Sequence, residues 1–154
     1  MAEVTIRRAG ADDAFIVAAL HLQSALDRGM PAEPGFLDRL VNAWLRDRPD
    51  RPTWIAQRRG EHAGLLETRR LRSLPWPSRA ESSALLVEHL FVAPAHRELG
   101  VEQALAEAMI EWARCTDVTW VRATAADDRT HRFYDRLGFS SAGRLMEFDL
   151  REPS

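Results

Sequence analysis

The length, composition and charge of the chain limit both its architecture and its partners. With 45% hydrophobic residues, the 154-residue chain can bury a core without disulfides or metals, so a single domain over residues 1–154 is expected. Its 21 basic and 23 acidic residues leave a net charge of -2, which gives no electrostatic reason to expect nucleic acid or an anionic membrane as a partner.

The cysteine and apolar content exclude further classes of protein. Cys115 is the only cysteine, which excludes an intrachain disulfide, and no Cys/His cluster has metal-ligand spacing, so no metal is expected. Cys115 lies beside the apolar stripe of a predicted helix, which favours a buried thiol. The sequence shows neither a signal peptide nor an apolar run long enough to cross a bilayer, and a cytoplasmic protein is therefore expected.

The N-terminal part of the sequence predicts one strand followed by two helices. Residues 3–8 alternate apolar and polar side chains, as a half-buried strand does. A first helix runs to about Arg28, and a second begins near Phe36 and ends at Pro49. One apolar face is predicted for the first helix, made of Phe15, Ile16, Ala19, Leu20, Leu22 and Leu26.

A hairpin and a long connection are predicted next. Residues 53–58 and 63–70 are strand-like runs separated by Arg59-Gly60-Glu61-His62, which indicates a hairpin. From Leu71 to Ser83 the sequence predicts an irregular connection. The exposed Trp76 expected there is a candidate wall of a binding site.

The strand that ends at Val92 changes its alternation in the middle. Leu85 and Val87 share one alternation, whereas Leu90 and Val92 share the other. One extra residue, a β-bulge at Glu88-His89, restores the register, bends the strand and leaves backbone groups unpaired. The alternative is a strand buried on both faces, which needs no bulge.

A loop and a third helix follow this strand directly. Pro94 leads into an Arg97-x-x-Gly100 loop, and apolar residues at helical spacing predict a helix from Gly100 to about Thr116. The first N–H groups of a helix lack intrahelical partners and carry partial positive charge, so this junction favours an anion such as a pyrophosphate. A plain strand-to-helix connection is the alternative.

The C-terminal part predicts a strand, a helix and a return to strand. Residues 118–124 predict a strand, and a helix capped by Asp127-Asp128 follows through Leu137. The chain returns as strand from Phe139 onward. Three alternating apolar residues, Met146, Phe148 and Leu150, predict a final strand with one solvent-exposed face.

Three segments now resemble one known family. Leu90-Phe91-Val92-Ala93-Pro94 with Arg97-x-x-Gly100, and Phe133-Tyr134-Asp135-Arg136-Leu137-Gly138-Phe139, resemble the GNAT superfamily of N-acetyltransferases. Ile6-Arg7-Arg8-Ala9 with Asp12-Asp13 is similar to the usual start of that fold. The resemblance covers essentially the whole chain. It implies an α/β (α+β layered) GNAT fold, a mixed, twisted and splayed sheet of about six to seven strands with about four helices on its two faces.

The resemblance also implies where a cofactor binds. Acetyl-CoA, or another short acyl-coenzyme A, would lie as co-substrate in the cleft between the strand ending at Val92 and the strand at residues 118–124. The backbone of Leu90 to Val92 would face the thioester, and the amides from Arg97 to Gln103 would cradle the pyrophosphate. The expected cofactor-binding residues are Leu90, Phe91, Val92, Arg97, Glu98, Leu99, Gly100, Val101, Glu102, Gln103, Asp127, Thr130 and Tyr134.

The implied reaction needs few protein groups. A neutral amine attacks the thioester carbonyl, a backbone N–H stabilises the oxyanion, and a proton donor assists the leaving thiolate. Tyr134 matches the family's usual general acid, and a structural tyrosine that caps the core is the alternative. Many members use a glutamate early on the strand before the loop, but Ser82-Ser83-Ala84 stands there. Glu88, and after it His89, are therefore the candidate bases, unless both simply face solvent.

The acceptor side is implied only in outline. Family members often shape the acceptor site with the loop between the first two helices, which makes Glu33 a candidate for amine recognition. Phe36 and Trp76 are candidates for an apolar wall, with ordinary packing as the alternative. The expected acceptor is an amine of a small molecule or a peptide.

The loop departs from the family pattern at two positions. Glu98 stands where a second glycine commonly follows the arginine, and Glu102 stands where glycine or alanine is usual. A carboxylate at a helix start normally stabilises the helix, whereas beside a pyrophosphate each unscreened pair costs about 1 kcal/mol or more.

Two functions stay open: an active N-acetyltransferase with Glu102 pointing outward, and a catalytically weakened GNAT-fold ligand-binding or protein-interaction module with reduced CoA affinity, for example as a homodimer.

Overall fold

The computed structural model describes residues 3–141, 146 and 148–151. The chain forms two compact units, residues 1–124 and residues 125–154. The first unit contains β1 (Val4–Arg8), α1 (Ala14–Asp27), α2 (Phe36–Asp47), β2 (Thr53–Arg58), β3 (Glu61–Ser73), β4 (Ser82–Val92), α3 (Val101–Arg114) and β5 (Val118–Ala123). The second unit contains α4 (Asp128–Arg136). None of the described helices is long and apolar enough to cross a membrane.

The sheet is mixed, as predicted. Its five strands lie in the order β1-β2-β3-β4-β5, with antiparallel pairing up to β4 and parallel pairing between β4 and β5. The described residues therefore contain fewer strands than the six to seven expected. Residues 139–141, 146 and 148–150 form no strand, and residues 142–145 and 147 of the predicted C-terminal strands lie outside the described residues.

The two hairpins of the sheet are tighter than the sequence predicted. Arg59 and Gly60 have φ of 54° and 75°, which is the backbone of a two-residue type I′ turn, so β3 begins already at Glu61. At its other end β3 extends to Ser73, which pairs with Ser82. The irregular connection predicted from Leu71 to Ser83 is thus wrong at both ends, because backbone pairing continues through polar residues that carry no apolar alternation.

The N-terminal motif has a structural explanation. The guanidinium of Arg7 donates two hydrogen bonds, of 2.7 and 2.8 Å, to the Asp13 carboxylate, which also accepts one from the Gly10 N–H. This fork fixes the turn by which β1 passes into α1.

The main core lies between the sheet and the helices α1 and α2. Ile55, Leu65 and Phe91 project from neighbouring strands into one cluster with α1 and α2, in which Val17 and Trp44 are buried. The apolar face predicted for α1 is only partly correct, since Phe15 and Leu26 are 66% and 60% exposed. The residues of α1 that are buried are Ala14, Val17, Ala18, Leu20 and Ser24.

Helix α3 packs on the opposite face of the sheet. Its Trp112 contacts Trp54 of β2 edge to face, with ring centroids 5.6 Å apart. Leu105 and Met109 of α3 are fully buried. Cys115 caps the C-terminal end of α3 and is exposed, so the predicted buried thiol is wrong: the helix ends one residue before the cysteine can join the packed face.

Candidate functional site

Strand β4 carries a bulge at the predicted position. Thr68 of β3 pairs with Val87, and the preceding residue Glu67 pairs with His89, so Glu88 is the extra residue on β4. A bulge of this kind bends its strand and re-aims the side chains that follow. The predicted bulge is confirmed, and the alternative of a regular strand is excluded.

Strand β4 also extends beyond its parallel neighbour. Pairing with β5 ends at Val87 and Ala123, where β5 itself ends, whereas β4 continues to Val92. The side chains of Phe91 and Val92 are 6% and 3% exposed, and Leu90 is half-buried. A ligand at this edge of β4 would therefore meet backbone N–H and C=O groups that β5 leaves unpaired.

The loop after β4 presents the N-terminus of α3. Glu98 and Gly100 have left-handed φ of 61° and 80°, and Gly100 is the N-cap of the helix. The Ala104 N–H donates to the Gly100 carbonyl at 3.0 Å, so the N–H groups of residues 101–103 precede the first intrahelical donor. Such amides form an anion site.

The side chains of the loop are largely bound within the protein. Arg97 Nε donates to the Val92 carbonyl at 3.1 Å, and its terminal nitrogen lies 2.5 Å from the Asp27 carboxylate. These bonds connect the loop to β4 and to α1, so the guanidinium stabilises the conformation of the loop. The remaining predicted loop residues lie as follows: Leu99 is 43% exposed, Val101 is buried, Glu102 is in the first turn of α3, and Gln103 donates to Glu107 at 2.8 Å.

Glycine at position 98 is expected to stabilise the protein. A non-glycine residue with left-handed φ costs about 1–2 kcal/mol, and Glu98→Gly removes that strain, for a net gain of up to about 1 kcal/mol after the entropy of the unfolded chain is counted. Urea unfolding measures this gain. Glu98→Gln is the matched control, because it removes the charge and keeps the strained backbone; equal stabilisation by both variants would refute a backbone origin.

A polar cluster lies at the bulge, on the face of the sheet that packs against α1. We call His21, Arg51, Glu67, Glu88 and His89 the bulge cluster. His21 Nε2 lies 2.5 Å from Glu67 Oε2. Arg51 Nη1 donates to Glu67 Oε1 at 3.1 Å and to Glu88 Oε2 at 2.5 Å. The rings of His21 and His89 stack, with centroids 4.6 Å apart and planes inclined by 13°.

The electrostatics of the bulge cluster separate its charged from its neutral members. Burial raises the pKa of Glu67, but the hydrogen bond from His21 and the charges of His21 and Arg51 outweigh it, so the pKa falls below its ordinary value. For His89, burial and then the positive charges of His21 and Arg28 lower the pKa to about 4. The cluster at neutral pH therefore holds an ionised Glu67 and an uncharged His89.

Three members of this cluster were missed by sequence reasoning: His21, Arg51 and Glu67. Glu67 follows four buried residues, 63–66, and is itself only 7% exposed. A carboxylate in a run of buried strand residues almost always has a charged or hydrogen-bonding partner, and this was the available signal. Its partner His21 is distant in sequence, so no spacing rule connects the two.

The low pKa of His89 predicts a pH dependence of stability. The folded protein holds this proton less tightly than the unfolded chain, whose histidine has the ordinary pKa of 6.5. His89 therefore costs nothing above pH 6.5, and stability is lost as pH falls from 6.5 toward 4, by on the order of 2 kcal/mol once partial exposure is discounted. Urea unfolding of the wild type and of His89→Gln between pH 7 and 5 measures the loss, which the variant should lack. Identical pH dependence of the two proteins would contradict the assignment.

The predicted acceptor residues do not converge on the bulge. Glu33 is exposed and lies 3.6 Å from the Arg39 guanidinium, and Phe36 is the half-buried first residue of α2. Trp76 is 63% exposed and pairs with Arg79 in the β3–β4 connection. This connection is at the end of β4 opposite to the 93–100 loop, so Trp76 and the loop are at the two ends of one strand.

The second unit holds the remaining predicted residues. The Asp127 side chain accepts a hydrogen bond from the Thr130 N–H at 2.7 Å, which confirms the predicted helix cap. Tyr134 of α4 is 8% exposed, and its ring lies 5.2 Å from that of Phe133 and 5.0 Å from that of Phe139. The roles of Asp127, Thr130 and Tyr134 toward a cofactor stay predictions.

Comparison with known protein families identifies the fold. Residues 19–139 match the acetyltransferase (GNAT) family. The chain belongs to this family. The match spans most of α1 and the whole of β4, the loop after it and α4. A comparison with curated protein sequences finds no match.

Solved structures share the GNAT fold over nearly the whole chain. One is a predicted acetyltransferase from Clostridium acetobutylicum with acetyl-CoA, at 14% identity and a TM-score of 0.76, covering 96% of this chain and 97% of that one. Another is a ribosomal-protein-alanine N-acetyltransferase from Brucella melitensis biovar Abortus 2308, at 21% identity and a TM-score of 0.74, covering 98% of this chain and 100% of that one. A third is glucosamine-6-phosphate N-acetyltransferase from Arabidopsis thaliana, at 12% identity and a TM-score of 0.73, covering 96% of this chain and 99% of that one. The predicted family and fold are confirmed.

Proposed function

We propose that this GNAT protein transfers an acetyl or short acyl group from acetyl-CoA to an amine of a small molecule or peptide, by direct attack in a ternary complex. The observation that carries the proposal is the edge of β4 at Leu90–Val92, which extends past β5 and ends at a loop that opens α3. The family match supports acetyl transfer in general.

The residues present fit acetyl-CoA. The thioester and the pantetheine arm carry amide and carbonyl groups, and the backbone edge of Leu90–Val92 offers complementary donors and acceptors. The amides of residues 101–103, beyond the left-handed Gly100, offer donors and a positive helix end to the pyrophosphate. Acetyl-CoA supplies the activated thioester carbonyl. Among the described residues, no His, Cys, Asp and Glu group is arranged to hold a metal ion, and the proposed reaction uses none.

The chain would contribute positioning and proton transfer. A backbone N–H at the Leu90–Val92 edge would donate to the developing oxyanion, which is the largest single effect in acyl transfer of this type. Tyr134 would give a proton to the leaving thiolate, a role that rests on the match of Phe133-Tyr134 and Gly138-Phe139 to the family motif. Glu33, Phe36 and Trp76 stay candidates for acceptor recognition.

The similar structures support an amine acceptor without selecting one. Their names include a ribosomal-protein alanine and a glucosamine phosphate, which differ in size and charge. The alternative function, a ligand-binding or interaction module with weakened CoA affinity, is favoured by two carboxylates, Glu98 in the loop and Glu102 in the first turn of α3. The two functions differ in cofactor affinity, which can be measured directly.

Calorimetric titration with acetyl-CoA separates the two functions. The wild type is expected to bind with micromolar affinity, and Glu102→Gln is expected to bind about fivefold more tightly, because removing one negative charge from the first turn of α3 lowers the repulsion of the pyrophosphate by about 1 kcal/mol. Glu111→Gln, near the other end of α3, is the matched control and should change nothing. No binding by the wild type, with recovery in Glu102→Gln, would establish the module; binding would be followed by a screen of amine acceptors.

A further inference from the structure

The acceptor amine of the proposed reaction reaches neutral solution as an ammonium ion and must lose a proton before it attacks. The two bases expected from the sequence are poorly suited to take it. Glu88 is held by Arg51 at 2.5 Å, with Arg69 3.9 Å away. His89 holds a proton only weakly, since its pKa falls to about 4.

A third candidate base at the bulge, besides Glu88 and His89, is His21. Its Nε2 lies 2.5 Å from a carboxylate that is buried and ionised, that of Glu67. With the carboxylate accepting the Nε2 proton, the lone pair of the imidazole is on Nδ1, and the positive ring that forms on proton uptake is stabilised by Glu67. The side chain of His21 is 20% exposed, so a proton can reach it.

His21 lies between a neutral imidazole and an ionised carboxylate. His89 stacks on His21 and is kept neutral by burial, by His21 and by Arg28. Arg51, on the other side of Glu67, keeps that carboxylate ionised. The charged and titratable groups around His21 are thus Glu67 from β3, His89 and Glu88 from β4, Arg51 before β2 and Arg28 after α1.

Two buried polar atoms at or next to the bulge cluster could accept or donate a hydrogen bond to a bound molecule. His89 Nε2 and Ser24 Oγ are buried and have no hydrogen-bond partner among the described residues. Ser24 follows His21 by one helical turn, so both lie on the same face of α1. A buried polar atom without a partner costs about 1–3 kcal/mol, so a bound molecule that supplies the missing hydrogen bond is favoured there.

We infer that His21, oriented by Glu67, takes the proton from the acceptor ammonium. The inference rests on the proposed function. The N–H bond of the ammonium breaks and its proton bonds to Nδ1 of His21; the freed lone pair forms the C–N bond to the acyl carbon while the π pair of the carbonyl moves to oxygen. The carbonyl then re-forms as the C–S bond breaks, and the electron pair of that bond goes to sulfur. On the proposed function the thiolate takes the proton of the Tyr134 hydroxyl, and the second proton that the nitrogen loses restores that hydroxyl. Glu67 is a positioning residue.

The test compares two acceptors that differ in basicity. One is a primary alkylamine found in the acceptor screen, and the other is its analogue fluorinated beside the amine, which is uncharged at the assay pH. His21→Gln is expected to lower kcat/KM about 100-fold for the alkylamine and less than about threefold for the fluorinated analogue, which needs no deprotonation. Glu67→Gln should show the same selectivity at about tenfold.

The controls separate this inference from the proposed function. His62→Gln replaces a histidine outside the bulge cluster and should leave both rates unchanged, and the acetyl-CoA affinity of His21→Gln should equal that of the wild type. Equal losses for both amines, or none, in an active protein would overturn the inference alone. A wild type that neither binds acetyl-CoA nor acetylates any amine would overturn both. NMR of the wild-type histidines at neutral pH is independent of the variants' folding: the ring proton of His21 should be on Nε2, which faces Glu67, and a proton on Nδ1 of His21 would refute the assignment.

Discussion

Tyr134→Phe is expected to lower kcat about 100-fold while acetyl-CoA affinity stays within about twofold of the wild type. The substitution removes only the hydroxyl, which on the proposed function protonates the leaving thiolate. The phenyl ring keeps its contacts with Phe133 and Phe139, at 5.2 and 5.0 Å between ring centroids. Steady-state kinetics with a saturating amine from the acceptor screen measures the change.

The tyrosine variant has two internal checks. Tyr134 is the only tyrosine of the chain, so the phenol absorption disappears completely in the variant and confirms the substitution. Calorimetry with acetyl-CoA shows whether the site is intact. An unchanged kcat would assign Tyr134 to the alternative role of a structural tyrosine in the core.

Gly64→Ala is expected to destabilise the protein by about 2–3 kcal/mol. A Cβ at position 64 would lie 2.7 Å from the Phe91 carbonyl oxygen, 3.3 Å from Leu105 Cδ1 and 3.4 Å from Val101 Cγ1. The first of these is backbone of β4, so the strand or the start of α3 must move. Both carry the proposed cofactor site, and acetyl-CoA should therefore bind more weakly as well. Urea unfolding measures the loss in the free energy of unfolding.

Gly10→Ala is the matched control for this substitution. Gly10 has an extended backbone, with φ of -99°, and its nearest neighbour to an added Cβ would be Asp13 Oδ2 at 3.9 Å. An alanine there meets no clash and should be neutral or stabilising by about 0.5 kcal/mol. If both variants unfold at the same urea concentration, the close contacts around Gly64 do not exclude a side chain at that position.

Much of the fold was accessible from local sequence patterns. The bulge at Glu88 was predicted because a one-residue slip in the alternation leaves a mark within a few residues. The same holds for the cap at Asp127 and for the loop that ends at Gly100. Each of these features is decided by interactions within one or two turns of chain, so the local sequence is sufficient.

The bulge cluster could not be predicted from local sequence patterns. His21 and Glu67 are 46 residues apart in sequence, and Arg51 and Glu88 are 37 apart. Their contacts exist because α1 packs over β3 and β4. Sequence reasoning therefore found the two members on β4, Glu88 and His89, and missed those that the fold brings to them.

The order of the elements up to α4, the mixed α/β class and the family could be predicted from local patterns, because hydrophobic periodicity and motif spacing are local properties of the chain. The covered faces of the elements and the pairing of charges depend instead on how the elements pack. Helix α1 has apolar residues around most of its surface, and close packing on the sheet selected Ala14, Val17 and Ala18 while Phe15 stayed exposed. The pairing of a carboxylate with an imidazole at the bulge depends likewise on where α1 lies on the sheet, since a buried charge persists only where packing supplies its partner.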